Sequence, residues 1–394
     1  MKSIILILIF LVSTLWAQTS DFFDNPASIA PRDYSTCLIP LISFDGDVSN
    51  SLLRLDDLNI FQKDNLLSAN EKKLLIADDL SVNLGVNMKI ADYGYNNWNL
   101  DFSLYSHSSV NILDNEFSKI ILYGNETNQH YLCKSGDESI SYTFGKIKLQ
   151  YAHPKFVDYA LVLNGVHIAS LYFGANINLN YPLFYGEVLG STQSFGSMLD
   201  SLYYDATLKL SYFELGESSV SPSPSFGFGA ILELQKGWAY FKVDDIFGNL
   251  KFENLKAFEY REQYSNELIY FDEDYEITQE SIENEYRISA RKISFHPSLE
   301  FGFEHEIFKN TDILAKYKLI QYETRNGLSV GANYDFMKII PIQVVCGYAD
   351  HLFYEAKLGL KLRKFEWSIS SNFYHGFFRY AKGMGVSSKM RINF

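Results

Sequence analysis

Glu304-His305-Glu306 is the tightest group of metal-capable side chains in the sequence. Two carboxylates and an imidazole could hold a divalent cation if the backbone brought them to one side. On an extended strand neighbouring residues face opposite ways, so His305 points away from both glutamates and shares a face with Phe301, Phe303 and Ile307. A packing histidine is the expectation. Cys37, Cys133 and Cys346 are far apart and odd in number, which gives no disulfide framework and no metal-ligand spacing. At most one bridge could form, and Cys346 fits a strand as a small apolar residue. No nucleophile elbow, zincin helix, Walker A loop or Rossmann glycine pattern stands in a credible context. A Ser-His-Asn hydrolase set could be drawn from so many serines and asparagines, but no spacing singles one out. Neither enzymatic activity nor a cofactor is expected.

Charged side chains offer two further possibilities. Lys357, Lys361, Arg363, Lys389 and Arg391 fall at alternate positions of late segments and could solvate or cross-brace an interior, or form a basic ladder for anionic solutes. Eleven acidic residues between Glu253 and Glu285 stand against only Lys256 and Arg261, so that stretch must lie in water. It reads as a solvated surface, or as one that bridges lipopolysaccharide through divalent cations; no EF-hand spacing supports a calcium loop. The formal charge of −13 and a pI near 5.1 argue against nucleic acid as a partner.

The elements that would position these residues begin with an export signal. Lys2 is a positive n-region, Ile4 to Trp16 an apolar stretch broken only by Ser13 and Thr14, and Ala17 a small residue for cleavage. Leu15 at the minus-three position allows a cut after Ser20 instead. Residues 1–17 are therefore set aside as a signal peptide, too short for an ordinary membrane-spanning helix. Beyond them no run approaches 18 apolar residues, yet 16% of the chain is aromatic, as expected where short strands face lipid between aromatic girdles.

From about residue 81 onward segments of roughly ten residues alternate apolar and polar side chains, the period of a strand with two different faces. Leu84, Val86, Met88 and Ile90 alternate with Asn83, Gly85, Asn87 and Lys89; Trp98, Leu100 and Phe102 alternate with Asn99, Asp101 and Ser103, with Asp92 to Asn97 as the connection. Ala175, Ile177 and Leu179 alternate with three asparagines, and Tyr354 to Leu362 repeats the pattern. The polar faces include long charged residues, as a wet lumen would. The fold class is all-β: a transmembrane antiparallel β-barrel of about 14 strands (14–16) over residues 81–394, with 249–285 as a long acidic loop or hairpin. Val386, Ser388, Met390, Ile392 and Phe394 occupy one face of the last segment, and a closing strand of this form looks like the signal read by barrel-insertion machinery. Residues 18–80 carry turn signals, helical spacing at Leu52, Leu53, Leu55 and Leu58, and a capping box at Ser68 to Glu71. They are expected to form an N-terminal hatch of turns and short helices.

Asp24-Asn25-Pro26-Ala27 resembles the start of FadL-like outer-membrane barrels, whose Asn-Pro-Ala motif lies in a hatch inside a fourteen-stranded barrel. Ser49 to Asn59, Phe226-Gly227-Phe228-Gly229-Ala230, Trp238 and Val243 to Asn254 look like an uncharacterised family of predicted outer-membrane barrels of similar length. The resemblance implies a hatch containing Asn25, Pro26 and Ala27 and passage of apolar small molecules. It equally covers accessory barrels for secretion and conjugal transfer, and no ligand-pocket motif carries over. Pro26 fixes its own φ and disfavours helix at Asn25, whose side chain can cap a local turn.

Together these readings give a monomeric barrel of the cell outer membrane, a channel or transporter for hydrophobic or amphipathic small molecules. Its partners would be outer-membrane lipid, lipopolysaccharide and the insertion machinery. The transport reading asks for an apolar route past the hatch to a gap in the wall, beside a strand glycine such as Gly145 or Gly174. The alternative is a structural, secretion- or assembly-accessory protein that binds partners through its loops; a porin for polar solutes is disfavoured if the hatch fills the lumen.

Overall fold

The structure, a computed structural model, describes residues 25–393 except 30–35, 39–42, 63–66, 114, 125–128, 136–138, 154–160, 164–165, 198–201, 215, 265–279, 321–325, 338, 349–350 and 363–364. The expected signal peptide and Phe394 lie outside the described residues. In chain order the strands are β1 Thr36–Leu38, β2 Ser43–Asn50, β3 Leu80–Tyr95, β4 Trp98–Leu113, β5 Gln129–Ser135, β6 Ile140–Ala152 and β7 Leu161–Leu163. There follow β8 Val166–Ser197, β9 Leu202–Tyr212, β10 Ser219–Ser221, β11 Ser223–Leu234, β12 Gly237–Ile246, β13 Asn249–Tyr264 and β14 Glu280–Ser294. The series ends with β15 Ser298–Phe308, β16 Thr311–Leu319, β17 Gly327–Phe336, β18 Ile340–Tyr348, β19 Leu352–Leu362, β20 Phe365–Tyr374 and β21 Gly383–Asn393.

Fourteen of them close into one antiparallel barrel. The wall runs β2, β3, β4, β6, β8, β11, β12, then β15 to β21 in order, and β21 pairs back onto β2. Closure leaves the wall without an open edge, so the ladder hydrogen bonds of its strands are made inside the protein, the condition for crossing hydrocarbon. The alternation read from the sequence is the alternation of faces. Leu100, Ile147, Ile177, Phe301, Val330 and Leu358 are exposed on the outside, while Asn99, Asp101, Lys146, Lys148, Asn176, Asn178 and Lys357 are buried within. An apolar outer belt around a polar interior is the arrangement of an outer-membrane barrel.

The two rims differ. At one, β3 and β4 are joined by Asn96 and Asn97 alone, with Tyr95 paired to Trp98, and β11 and β12 by Gln235 and Lys236. The expected connection Asp92 to Asn97 is thus mostly strand; Asn96 supplies the positive φ of 51° that a two-residue hairpin requires. The opposite rim carries the long connections, and by the usual asymmetry of such barrels it is the extracellular one. Here residues 51–79 and the helix Asn115–Tyr123 pack Leu52, Leu53, Ile60, Leu75 and Leu80 with Leu122. The helix Ala69–Leu75 starts on the capping box the sequence announces: Ser68 Oγ accepts from the Glu71 N–H while the Glu71 carboxylate takes the Ser68 N–H at 2.8 Å.

The barrel begins earlier than the alternation suggests. β2 lies within residues 18–80, yet it is the wall strand between β21 and β3. With Asp45, Gly46, Asp47 and Asn50 in eight residues it offers only Phe44 and Val48 to the lipid, too weak a pattern to separate from a turn. Only Asn25 to Ile29 of the expected hatch is described inside the wall, where Pro26–Ile29 forms a single 3-10 turn against β6, β8 and β11.

A second sheet stands above the barrel. β8 is 32 residues long; its lower part pairs with β6 and β11, and from Gly186 onward it pairs with β9, then also with β5. β9 pairs with β13, and β13 with β14. The acidic stretch 249–285 is therefore a long hairpin as far as it is described, continuing β12 and β15 upward past a kink.

Candidate lumenal gate

The kink is where the lumen acquires its special features. Asp245 and Phe247 have φ of 58° and 63°, and the Gly248 N–H closes the turn on the Asp245 carbonyl at 3.0 Å. The bend turns Asp244 and Asp245 inward and lays the base of the β13 and β14 hairpin across the mouth. Asn254, with φ 54°, then re-aims β13 so that Leu250, Phe252 and Leu255 all reach one cluster despite their uneven spacing.

Three layers follow one another down the same wall. The uppermost is apolar: Tyr142 and Phe144 on the lumenal face of β6 meet Tyr185, Leu250, Phe252, Leu255 and Phe295. Phe144 and Phe295 are 5.2 Å apart between ring centroids and Tyr185 and Phe252 4.9 Å, ordinary packing distances for aromatic pairs. Phe144, Phe252, Leu250 and Leu255 have no exposed surface.

The second layer is charged. Lys146 and Asp245 pair at 2.7 Å with side chains 1% exposed each, and Lys148 pairs with Asp244 beside Lys242. Asn178 donates to Asp244 at 2.8 Å and to Ser225 at 3.1 Å. The ladder explains the register: Lys146, Lys148 and Gln150 of β6 stand opposite Asn180, Asn178 and Asn176 of β8, and β11 offers Ser223, Ser225 and Gly227 to the same asparagines. Two ion pairs this deep are stabilising only because both partners are satisfied together. Lys146 also lies 5.1 Å from the Tyr105 ring centroid, joining this layer to the aromatic one. The cavity between this layer and β3, β4, β15 and β16 is about 50 Å³ and lined almost wholly by polar groups, among them Lys89, Asp101, Lys318 and Glu300. It has room for a few waters, not for a hydrocarbon.

The third layer is the Asn-Pro-Ala turn. Asn25 is 1% exposed; its amide nitrogen donates to the carbonyls of Phe241 at 2.8 Å and Ala230 at 3.3 Å, and its Oδ1 accepts the Ala27 N–H at 2.9 Å. The side chain thus caps its own turn and ties it to two paired wall strands. Gly174 and Gly229 are cross-strand partners directly beneath. A β-carbon on Gly174 would overlap the Pro26 carbonyl and the Ala27 nitrogen, and one on Gly229 would overlap the Asn25 amide. Below the turn Ala27, Tyr172 and Ile231 form a small apolar contact with Trp238 and Tyr240.

The expectations map onto this column unevenly. Asn25, Pro26 and Ala27 come together on the wall. Gly174 marks a seat, not a gap: its pairings to Ala152 and Gly229 are intact, and Gly145 faces outward toward Leu183. Among the described residues no open apolar route leads past the turn, since the aromatic layer is closed and the cavity beneath it polar. His305 lies on the outer face, 5.8 Å from the Phe303 ring and apart from the glutamates. Val386, Ser388, Met390 and Ile392 share the lipid-facing side of β21, Ser388 covered opposite Phe44. Lys361 pairs with Asp335 at 3.6 Å and braces the wall; Arg363 is outside the described residues. Cys346 is unbridged and exposed on the outer face. Lys146, Lys148, Asp244, Asp245 and Gly229 are central here and were not singled out as a site from the sequence. Their trace is Lys-x-Lys-x-Gln on one face of β6, an Asp doublet just before Gly248, and Gly227 and Gly229 two residues apart.

No family model matches the chain, and no curated protein matches it in sequence. Among solved structures it is similar to the Pseudomonas putida toluene transporter TodX, at 10% identity over 94% of this chain and 92% of that one, with a TM-score of 0.47. It is similar also to a Pseudomonas aeruginosa FadL homologue, at 12% identity over 94% and 91% of the two chains and a TM-score of 0.39, and to the monoaromatic hydrocarbon channel CymD, at 10% identity, 94% and 91% coverage and a TM-score of 0.24. The chain itself is a closed fourteen-stranded antiparallel β-barrel.

Proposed function

We propose that this barrel is a gated outer-membrane channel for hydrophobic or amphipathic small molecules. The observation that carries the reading is the aromatic layer: its lower half belongs to the barrel and its upper half to a hairpin that enters from above. An apolar solute exchanging with this seam needs the hairpin to swing on its continuous strands, whereas one crossing a core built from a single element must break it. Beneath the seam the charged layer and the seated turn obstruct this side of the lumen for polar and apolar solutes alike, so passage requires the turn to leave its seat.

In this reading Asn25, Pro26 and Ala27 act as the hatch, released when solute reaches the lower layers. The chain is exported by a cleaved signal peptide, acts as a monomer, and uses the lipid-facing row of β21 for recognition by insertion machinery. Liposomes containing the full chain provide the test. Uptake of a naphthylamine dye is expected to exceed that of protein-free vesicles, with no swelling in sucrose. Sucrose swelling with no gain in dye uptake would overturn the proposal.

A further inference from the structure

We infer that the loop between β20 and β21 binds a phosphorylated glycolipid of the outer leaflet. Tyr354 and Phe373 are the uppermost aromatic residues on the lipid-facing side of β19 and β20. The aromatic array does not stop where the strands stop: Phe377 packs 5.4 Å from Tyr354 and 5.7 Å from Phe373, and Phe378 packs 5.0 Å from Phe373 and 4.3 Å from Phe377. With Tyr380 these loop rings are 51%, 59% and 51% exposed, so a platform of ring faces and edges rises from the lipid belt into the headgroup region. An interfacial girdle alone would place aromatic residues at strand ends; it does not account for a guanidinium held against the Tyr380 ring in the loop beyond them. Arg379 is exposed, lies 4.9 Å over the Tyr380 ring and donates to its hydroxyl at 2.8 Å. Its position is fixed while donors remain for an anion.

A second segment joins the same rim. The Leu55 N–H donates to the Ala381 carbonyl at 2.8 Å and the Asp56 N–H to the Arg379 carbonyl at 2.9 Å, which brings exposed Arg54 alongside the loop. The Asp57 carboxylate is turned back onto the Arg54 backbone N–H, and Lys382 reaches the Ser51 carbonyl at 2.7 Å. The geometry matches a ligand with three parts in one order: acyl chains along the outer wall below Tyr354 and Phe373, sugar rings against Phe377, Phe378 and Tyr380, and phosphate at Arg379 and Arg54, where planar bidentate pairing is strongest. The site rests on the barrel's place in the membrane and not on what the lumen carries.

The test uses the full chain in dodecyl maltoside micelles, following its thermal unfolding midpoint by heat-modifiable gel mobility as lipid is added. Bisphosphorylated lipid A is expected to raise the midpoint more than phosphatidylglycerol does, and phosphatidylcholine to leave it unchanged. Arg379→Ala and the double substitution Phe377→Ala/Phe378→Ala are expected to remove at least half of the lipid A shift, and Arg379→Lys to keep part of it. Dephosphorylated lipid A on the unsubstituted protein is expected to give the smaller shift, a comparison that needs no variant to fold. An equal shift from phosphatidylglycerol, an undiminished shift in the variants, or indifference to the phosphates would overturn the inference; so would concentration-dependent self-association that buries the loop.

Discussion

At the scale of single side chains, the seat of the Asn-Pro-Ala turn rests on two glycines. Gly174→Ala or Gly229→Ala puts a methyl group where the Asn-Pro-Ala backbone rests, an overpacking cost of about 1–3 kcal/mol that moving the turn off its seat would relieve. Either variant is expected to fold as a barrel and to let sucrose into liposomes that the parent protein keeps dry; unchanged exclusion would show that the turn is not what closes this level. Lys146 tests the layer above. Lys146→Met strands the Asp245 carboxylate and is expected to cost about 3–5 kcal/mol in urea unfolding from micelles, and Lys146→Met/Asp245→Leu to recover most of it. Losses that simply add in the double variant would mean that the two groups do not depend on each other. Of these residues Asn25 was legible early, because Pro26 beside an amide side chain announces a capped turn. Gly229 was not: a glycine in a strand says that something comes close, and only the folded register says what.

Among the connections, the one between β20 and β21 is expected to respond to pH through His375. Its ring stacks on His351 at 3.8 Å, with Tyr374 against the other imidazole, and burial, the His351 ring and Lys382 together lower its pKa to about 4. A histidine whose proton affinity is depressed in the ordered loop stabilises that loop fully above its ordinary value near 6.5, and the contribution is lost as pH falls toward 4. Backbone amides of 375–382 are expected to exchange hydrogen faster at pH 4.5 than at pH 7, after correction for intrinsic rates, and His375→Phe to flatten that dependence. The same scale shows what periodicity reveals. Thirteen of the fourteen wall strands lie in the region from about residue 81 onward where the alternation is read, because lipid and lumen impose opposite demands on alternate residues. The fourteenth, β2, escaped because Gly46 and two aspartates weaken the pattern. β9 and β14 of the upper sheet fall in the same region: beyond the barrel a strand still alternates, and its sequence does not say which side of the interface it occupies.

Taken as a whole, the molecule is a cylinder carrying an external sheet, and its least expected member is shared between them. β8 runs from the short-turn rim, past Gly174 and the three asparagines, out of the barrel to Ser197. Because one strand serves both regions, the proposed gating gives it the geometry of a lever, with the wall as fulcrum, the upper sheet as the long arm and the seat of Asn25 to Ala27 as the short one. Under that proposal a load at the outer end, such as a solute entering under the hairpin, would be delivered as torque at Gly174 and, across the ladder, at its partner Gly229.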